Sequence, residues 1–296
     1  MNKIQLHYSN ASHRGPGKVV QNLSTGLSKL DLLSEAQDDS AVFHGVLQMM
    51  PGANAIAQKD SNTCIFGPNL VVLPNELPPD YLGQVKHFVV PSEWVKKLYR
   101  QFPCMDKITI DTWSVGIDTD RWMPADRGIK NVGPITENLR CLVYWKNRSR
   151  ADLQFVQNTL SARQIECKIL EYGNYQEDDL DALCSWAHFG ILLTNTESQG
   201  IAYMEMLSTD LPLFVYNQPW WNYDGSYPKV EASSVPYFDK FCGEITVGPN
   251  EALFDTFLAN VRTWKYSPRA YILANHTLIH GAQNYYNLFL RYEHQK

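Results

Sequence analysis

Thr196-Glu197-Ser198-Gln199-Gly200-Ile201-Ala202-Tyr203-Met204-Glu205 sets two carboxylates, Glu197 and Glu205, with seven residues between them. An apolar run, Phe189 to Leu193, precedes this stretch, and another, Leu211 to Tyr216, follows it. The order reads strand, loop, helix, strand. That is a parallel βαβ unit whose loop opens at the carboxyl end of a buried strand, where ligands of open α/β sheets bind. Gly200 permits close backbone approach, and the helix start offers N–H groups to an anion. Ionised carboxylates are pure acceptors and suit hydroxyl groups.

Three further segments stand in order around it. Phe88-Val89-Val90-Pro91-Ser92-Glu93-Trp94-Val95-Lys96-Lys97-Leu98 is an apolar strand followed by an N-cap serine and an acidic first turn. Val115-Gly116-Ile117-Asp118-Thr119-Asp120-Arg121-Trp122-Met123-Pro124 contains a Gly-Ile-Asp element. Leu170-Glu171-Tyr172-Gly173-Asn174-Tyr175 leads into an acidic helix start at Glu177 to Asp179. Together these segments resemble the retaining GT-B glycosyltransferases, in particular glycosyltransferase family four with its Glu-x7-Glu motif. The resemblance spans residues 88 to 216 and is looser toward both ends.

The resemblance implies an α/β chain of GT-B architecture: two Rossmann-like domains facing a cleft, with a C-terminal helix crossing back. Residues 1–125 would form the acceptor-side domain with 271–296 packed on it, and 135–270 would form the nucleotide-sugar-binding domain. It implies a retaining, metal-independent transfer from a nucleotide-diphosphate sugar to a hydroxyl acceptor, which could be a glycan, a lipid-linked hydroxyl or a small molecule. Glu197 would face the donor sugar and Glu205 the ribose. Ser198, Gln199 and Gly200 would offer polar atoms to sugar or phosphate, and the base would stack near Tyr172 or Tyr175. No cofactor or metal is expected. Two other readings share the features: a nucleotide-sugar epimerase or hydrolase on the same fold, and a non-catalytic nucleotide-sugar-binding protein.

The bulk properties agree with a globular α/β chain. The sequence has 296 residues, enough for two ordinary domains, and a formal net charge of -5. That charge argues against a general nucleic-acid binder, which needs clustered Lys and Arg. The six cysteines form no Cys-x-x-Cys pair and read as reduced and structural. No signal segment and no membrane-spanning apolar run is evident, so the expectation is a cytoplasmic protein, with peripheral membrane contact left open.

Local patterns place the remaining candidates. Short strands are expected at Ile4 to Tyr8, Ala41 to His44, Thr63 to Phe66, Leu70 to Leu73, His87 to Val90 and Lys107 to Ile110, with helices at Val19 to Leu30 and Ser92 to Arg100. The polar loop Ser9 to Gly17 carries Gly15 and Gly17. In the family a glycine-rich loop here lies close to the donor diphosphate; the same residues also suit an ordinary turn into a helix. Pro124 to Asn138 reads as the linker.

Beyond the linker, Arg140 to Trp145 is an expected strand, followed by the basic turn Trp145-Lys146-Asn147-Arg148-Ser149-Arg150. The resemblance implies an Arg and a Lys after this strand to hold the diphosphate, which gains negative charge as it departs; Lys146 and Arg148, ahead of Arg150, match that role, and the same residues also suit a solvated basic turn. Asp118-Thr119-Asp120 looks like a metal-binding Asp-x-Asp, but its context fits an interdomain segment better. His44, beside Gly45, suits either an active-site loop or a structural hydrogen bond. The aromatic run from Pro219 to Gly225 suits either sugar packing or core capping. Tyr271 to Tyr292 reads as a long terminal helix with a break near Gly281.

Overall fold

The computed structural model describes residues 2–9, 14–35, 42–50, 56, 63–125, 133–221 and 229–294. The chain divides into two compact units, Met1–Gly116 with His276–Lys296, and Ile117–Asn275.

In the first unit, β1 (Ile4–His7), β2 (Phe43–Gln48), β3 (Cys64–Asn69), β4 (His87–Val90) and β5 (Thr109–Thr112) form one parallel sheet in that spatial order. Leu33 makes a single parallel bridge to Ile4. The chain thus leaves β1 through the helix Arg14–Lys29, touches one flank of β1 at Leu33, and returns on the other flank as β2. Gly15 and Gly17 lie inside the first turn of that helix and not in a loop before it. Pro16 explains the early start, because a first helical turn tolerates a residue with no N–H and a fixed φ.

The C-terminal segment is two helices, Pro268–Asn275, which belongs to the other unit, and Leu278–Glu293, which belongs to this one. The break falls at His276–Thr277, where the Thr277 side chain caps the second helix by accepting from the His280 amide at 3.2 Å. Gly281 does not interrupt the helix. It is the point of closest approach to the backbone: a Cβ there would lie 2.4 Å from the Gly116 nitrogen. Phe289 stacks on Phe43 with ring centroids 5.0 Å apart, and the Trp113 indole donates to the Gly281 carbonyl at 2.8 Å. Gly281→Ala is therefore expected to cost about 1–3 kcal/mol of stability through overpacking. Denaturant unfolding checks this, and a midpoint equal to wild type would show that the helix can shift freely.

In the second unit, β6 (Arg140–Lys146), β7 (Glu166–Glu171), β8 (Phe189–Thr194) and β9 (Leu213–Tyr216) belong to a second parallel sheet. A two-stranded antiparallel ribbon follows, β10 (Trp220–Trp221) with β11 (Val230–Glu231). Then β12 (Gly243–Thr246) completes the sheet, whose order is β12-β9-β8-β6-β7. Alternate side chains feed two cores, one on each face. Leu142, Tyr144, Leu192, Leu213 and Val215 join one; Cys141, Val143, Ile191, Leu193, Phe214 and Tyr216 join the other. Both faces are covered at the centre of the sheet, which is why β8 and β9 are buried along their whole length.

Ile117 and Trp122 are buried in the first of these cores, so the second unit begins before the Pro124 to Asn138 segment read as a linker. Asp118 is the reason for the turn that carries Trp122 inward: its carboxylate accepts from the Asp120 and Arg121 amides, each at 3.1 Å. Residues 126–132 of that segment, His13, and the aromatic run beyond Trp221 lie outside the described residues. Among the described residues no helix is long and apolar enough to cross a membrane.

Candidate functional site

The second sheet has a topological switch point. From β6 the chain goes first to β7 on one side and then to β8 on the other. Connections leave the two central strands in opposite directions there, opening a crevice at their carboxyl ends. Those ends are Lys146 on β6 and Thr194 on β8, which are register partners. The basic turn and the Glu197 loop, distant in sequence, therefore emerge side by side.

The Glu197 loop is fixed by backbone bonds. The Asn195 amide donates to the Lys146 carbonyl at 3.3 Å, and the Glu197 amide donates to the Ser233 carbonyl at 2.9 Å. Behind them, Asn217 Oδ1 accepts from the Ser234 amide at 2.8 Å and from the Ser233 hydroxyl at 3.3 Å. The Ser234 hydroxyl accepts from the Gln218 amide at 2.9 Å and donates to the Thr194 carbonyl at 3.2 Å. Asn217, Ser233 and Ser234 carry no local sequence signal, since their role depends on three segments meeting.

On this support Lys146 Nζ meets the Glu197 carboxylate, 2.8 Å from one oxygen and 3.0 Å from the other. The side chains retain only 20% and 12% of their exposure. Burial pushes the Glu197 carboxyl above its ordinary range, and the adjacent Lys146 ammonium opposes that rise. Lys146 Nζ also lies 4.3 Å from the centre of the Tyr172 ring, a cation–π distance. Tyr172 is 43% exposed. Tyr175 differs: it packs against the core, edge-on to Tyr144 at 6.1 Å, so its ring is already engaged.

The three cations of the basic turn have separate partners. Arg148 Nε donates to Asp152 at 3.1 Å, and its Nη1 donates to the Thr194 and Tyr216 carbonyls, each at 3.3 Å. It ties the ends of β8 and β9 together instead of projecting away from them. Arg150 lies over the Trp145 ring at 5.5 Å.

Gly200 takes φ +82°, and a Cβ there would come within 2.1 Å of the Tyr203 ring. No other residue type fits this left-handed start of the helix Ile201–Ser208. The Tyr203 hydroxyl accepts from the Tyr237 amide at 3.0 Å, which locks that ring in place. Ser198 is exposed, whereas Gln199 is buried with its amide nitrogen 3.9 Å from Met204 Sδ. The loop thus presents Ser198 outward and turns Gln199 inward. Glu205, one turn into the helix, is 3% exposed.

Gly15 and Gly17 belong to the other unit, with open space where a side chain would be. Also in that unit, His44 is not at a strand end. It sits within β2, 8% exposed, with Nδ1 3.1 Å from His7 Nε2.

No family model matches the sequence, and no curated protein matches it. Solved structures do resemble it. Sucrose-phosphate synthase from Thermosynechococcus elongatus aligns over 100% of both chains with a TM-score of 0.60 at 9% identity. The lipopolysaccharide outer core galactosyltransferase WaaB aligns over 98% of this chain and 99% of its own, with a TM-score of 0.56 at 10% identity. The catalytic domain of starch synthase IV from Arabidopsis thaliana, bound to ADP and acarbose, aligns over 95% of this chain and 78% of its own, with a TM-score of 0.51 at 10% identity. At such identities the likeness speaks for the fold, and the fold is the mixed α/β arrangement of two five-stranded parallel sheets found in GT-B glycosyltransferases.

Proposed function

We propose that this chain is a retaining glycosyltransferase that moves a sugar from a nucleotide-diphosphate sugar to a hydroxyl acceptor without a catalytic metal. The observation that carries the reading is the meeting of Lys146 and Glu197 at the carboxyl ends of β6 and β8, the crevice of the second sheet. A cation and a hydroxyl acceptor side by side suit a ligand that is anionic at its diphosphate and hydroxylated at its sugar. The neighbouring folds include a galactosyltransferase and a starch synthase domain bound to ADP and acarbose, which supports the same ligand class.

In this mechanism Lys146 meets the charge that grows on the leaving diphosphate. Glu197 accepts from sugar hydroxyls and orients the anomeric carbon. Arg148 holds the ends of β8 and β9, and through Thr194 the Glu197 loop, so it acts as a positioning residue. Glu205 takes ribose hydroxyls, and the exposed Tyr172 is the remaining stacking face for the base. Attack comes on the face the diphosphate leaves, with a phosphate oxygen receiving the acceptor proton, so catalysis is positioning and electrostatics.

The test is nucleoside diphosphate release and product analysis with a panel of nucleotide sugars, with and without hydroxyl acceptors. Transfer with the donor's anomeric configuration kept is the expected outcome. Release that never depends on an acceptor would point to hydrolysis instead. With a chelator present, turnover is expected to be unchanged. Complete loss, restored by Mg²⁺ or Mn²⁺, would overturn the metal-free part of the reading.

A further inference from the structure

We propose that the Lys146–Glu197 ion pair is a latch that a donor diphosphate opens, and that the latch makes the site prefer diphosphates carrying a sugar over bare ones. This rests on the glycosyltransferase reading of the same site. Lys146 Nζ touches both Glu197 oxygens, at 2.8 and 3.0 Å, and both side chains are largely shielded from water. An incoming diphosphate must compete with Glu197 for the same ammonium. Once Lys146 turns to phosphate, the shielded Glu197 carboxylate has lost the ammonium that touches both of its oxygens, and such a loss is costly.

A sugar on the diphosphate changes the balance, because its hydroxyls donate to Glu197 and replace the hydrogen bonds that Lys146 withdrew. A bare nucleoside diphosphate or inorganic pyrophosphate cannot do this. Glu197 therefore acts twice: it orients the sugar, and it penalises ligands that bring none. The backbone bond from the Glu197 amide to the Ser233 carbonyl, at 2.9 Å, fixes the main chain from which the carboxylate projects. Tyr172, with Lys146 Nζ 4.3 Å from its ring centre, holds the cation's other side and limits how far it can travel. The penalty also favours departure of the spent nucleoside diphosphate after transfer.

The experiment measures binding of inorganic pyrophosphate, of the uridine, guanosine and adenosine diphosphates, and of the glucose esters of those three, by calorimetry. It uses wild type, Glu197→Gln, Lys146→Met and the double variant. Glu197→Gln keeps the shape but releases Lys146 from a full charge. It is expected to bind pyrophosphate and the preferred nucleoside diphosphate about tenfold tighter than wild type and to lose the wild-type preference for the sugar ester. The gain is expected to vanish when Lys146 is already methionine, which a merely structural Glu197 would not produce. Melting temperature and circular dichroism verify folding, with the double variant as the partner in which no charge is stranded. Binding of the diphosphates with no gain, or a loss, in folded Glu197→Gln would overturn the latch and leave the glycosyltransferase reading standing. Absence of binding by every diphosphate and every ester in all folded variants would overturn both.

Discussion

Lys146→Met is expected to lower turnover by about a thousandfold while the donor KM changes far less. The diphosphate gains its charge as the glycosidic bond breaks, so the ammonium matters more in the transition state than in the bound donor. A unit charge at about 4 Å in an intermediate dielectric is worth about 4 kcal/mol, which corresponds to about a thousandfold in rate. Methionine keeps the length of the stem and removes only the ammonium that faces Glu197 and the Tyr172 ring, so the change in volume is small. It also removes the ammonium that pairs with Glu197, which lowers stability. Lys146→Met/Glu197→Gln removes both charges and is expected to recover the melting temperature without recovering turnover. Single-turnover kinetics at saturating donor makes the measurement. Turnover close to wild type in a folded Lys146→Met variant would exclude this lysine from the chemistry.

The pair at the centre of that prediction was half legible in the sequence. The apolar run ending at Leu193 and the glycine before an apolar helix mark the Glu197 loop, and the basic turn after Trp145 marks its partner. Each is a local pattern, and the strands and helices around both fall close to where periodicity puts them, with β8 at Phe189–Thr194 and the helix at Glu177–Trp186. That the two loops meet follows from strand order, which no local pattern encodes. Arg148 shows the limit most clearly. A basic turn reads as phosphate-binding, but the guanidinium finds two carbonyls, Thr194 and Tyr216, whose positions depend on the assembled sheet.

Two strand bounds in the first sheet depart from expectation where the C-terminal helix packs. Gly45 reads as the end of a strand, yet β2 runs from Phe43 to Gln48. A Cβ at position 45 would lie 2.6 Å from the Tyr285 hydroxyl, so glycine is there to admit the C-terminal helix. The strand expected at Lys107 to Ile110 is β5 at Thr109–Thr112, so Asp111 lies within it, where Arg291 pairs with it at 3.1 Å and the Tyr292 hydroxyl donates to it. Leu70 to Leu73 is apolar and reads as a strand, but Leu70 and Leu73 are buried across a bend that leads into a short 3₁₀ turn at Pro74–Glu76. In the second unit, β12 and the helix Glu251–Arg262 were not read. The helix had a signal, since the Asn250 side chain caps it by accepting from the Leu253 amide at 3.1 Å, with Phe254, Phe257 and Val261 on its buried face.

The C-terminal helix supplies the second large effect, a loss of stability in acid that reaches about 2 kcal/mol per histidine by pH 5. His87 and His276 hold the two ends of its seat in the first unit. His87 is 5% exposed and stacks on the Tyr292 ring at 3.7 Å and 11°, with neither ring nitrogen hydrogen-bonded to a described residue. His276, 7% exposed, meets the Ser114 hydroxyl at 3.3 Å just before the helix starts. Burial lowers both pKa values from 6.5 to about 4. Nearby Lys86 adds to the effect at His87 and Asp111 opposes it, while His280 adds to it at His276. The unfolded chain therefore binds more protons than the folded one between pH 6.5 and 4. Stability from these groups is complete above the unfolded value and is lost as pH falls through that window, by about 3 kcal/mol each at its lower end. Urea unfolding at pH 7.5 and pH 5 measures the loss. His87→Phe keeps an aromatic stack on Tyr292 and removes the titration, so it is expected to unfold with a visibly smaller acid penalty than wild type. An equal penalty in the two proteins would mean that His87 contributes nothing to the acid loss and takes its proton without disturbing the stack on Tyr292.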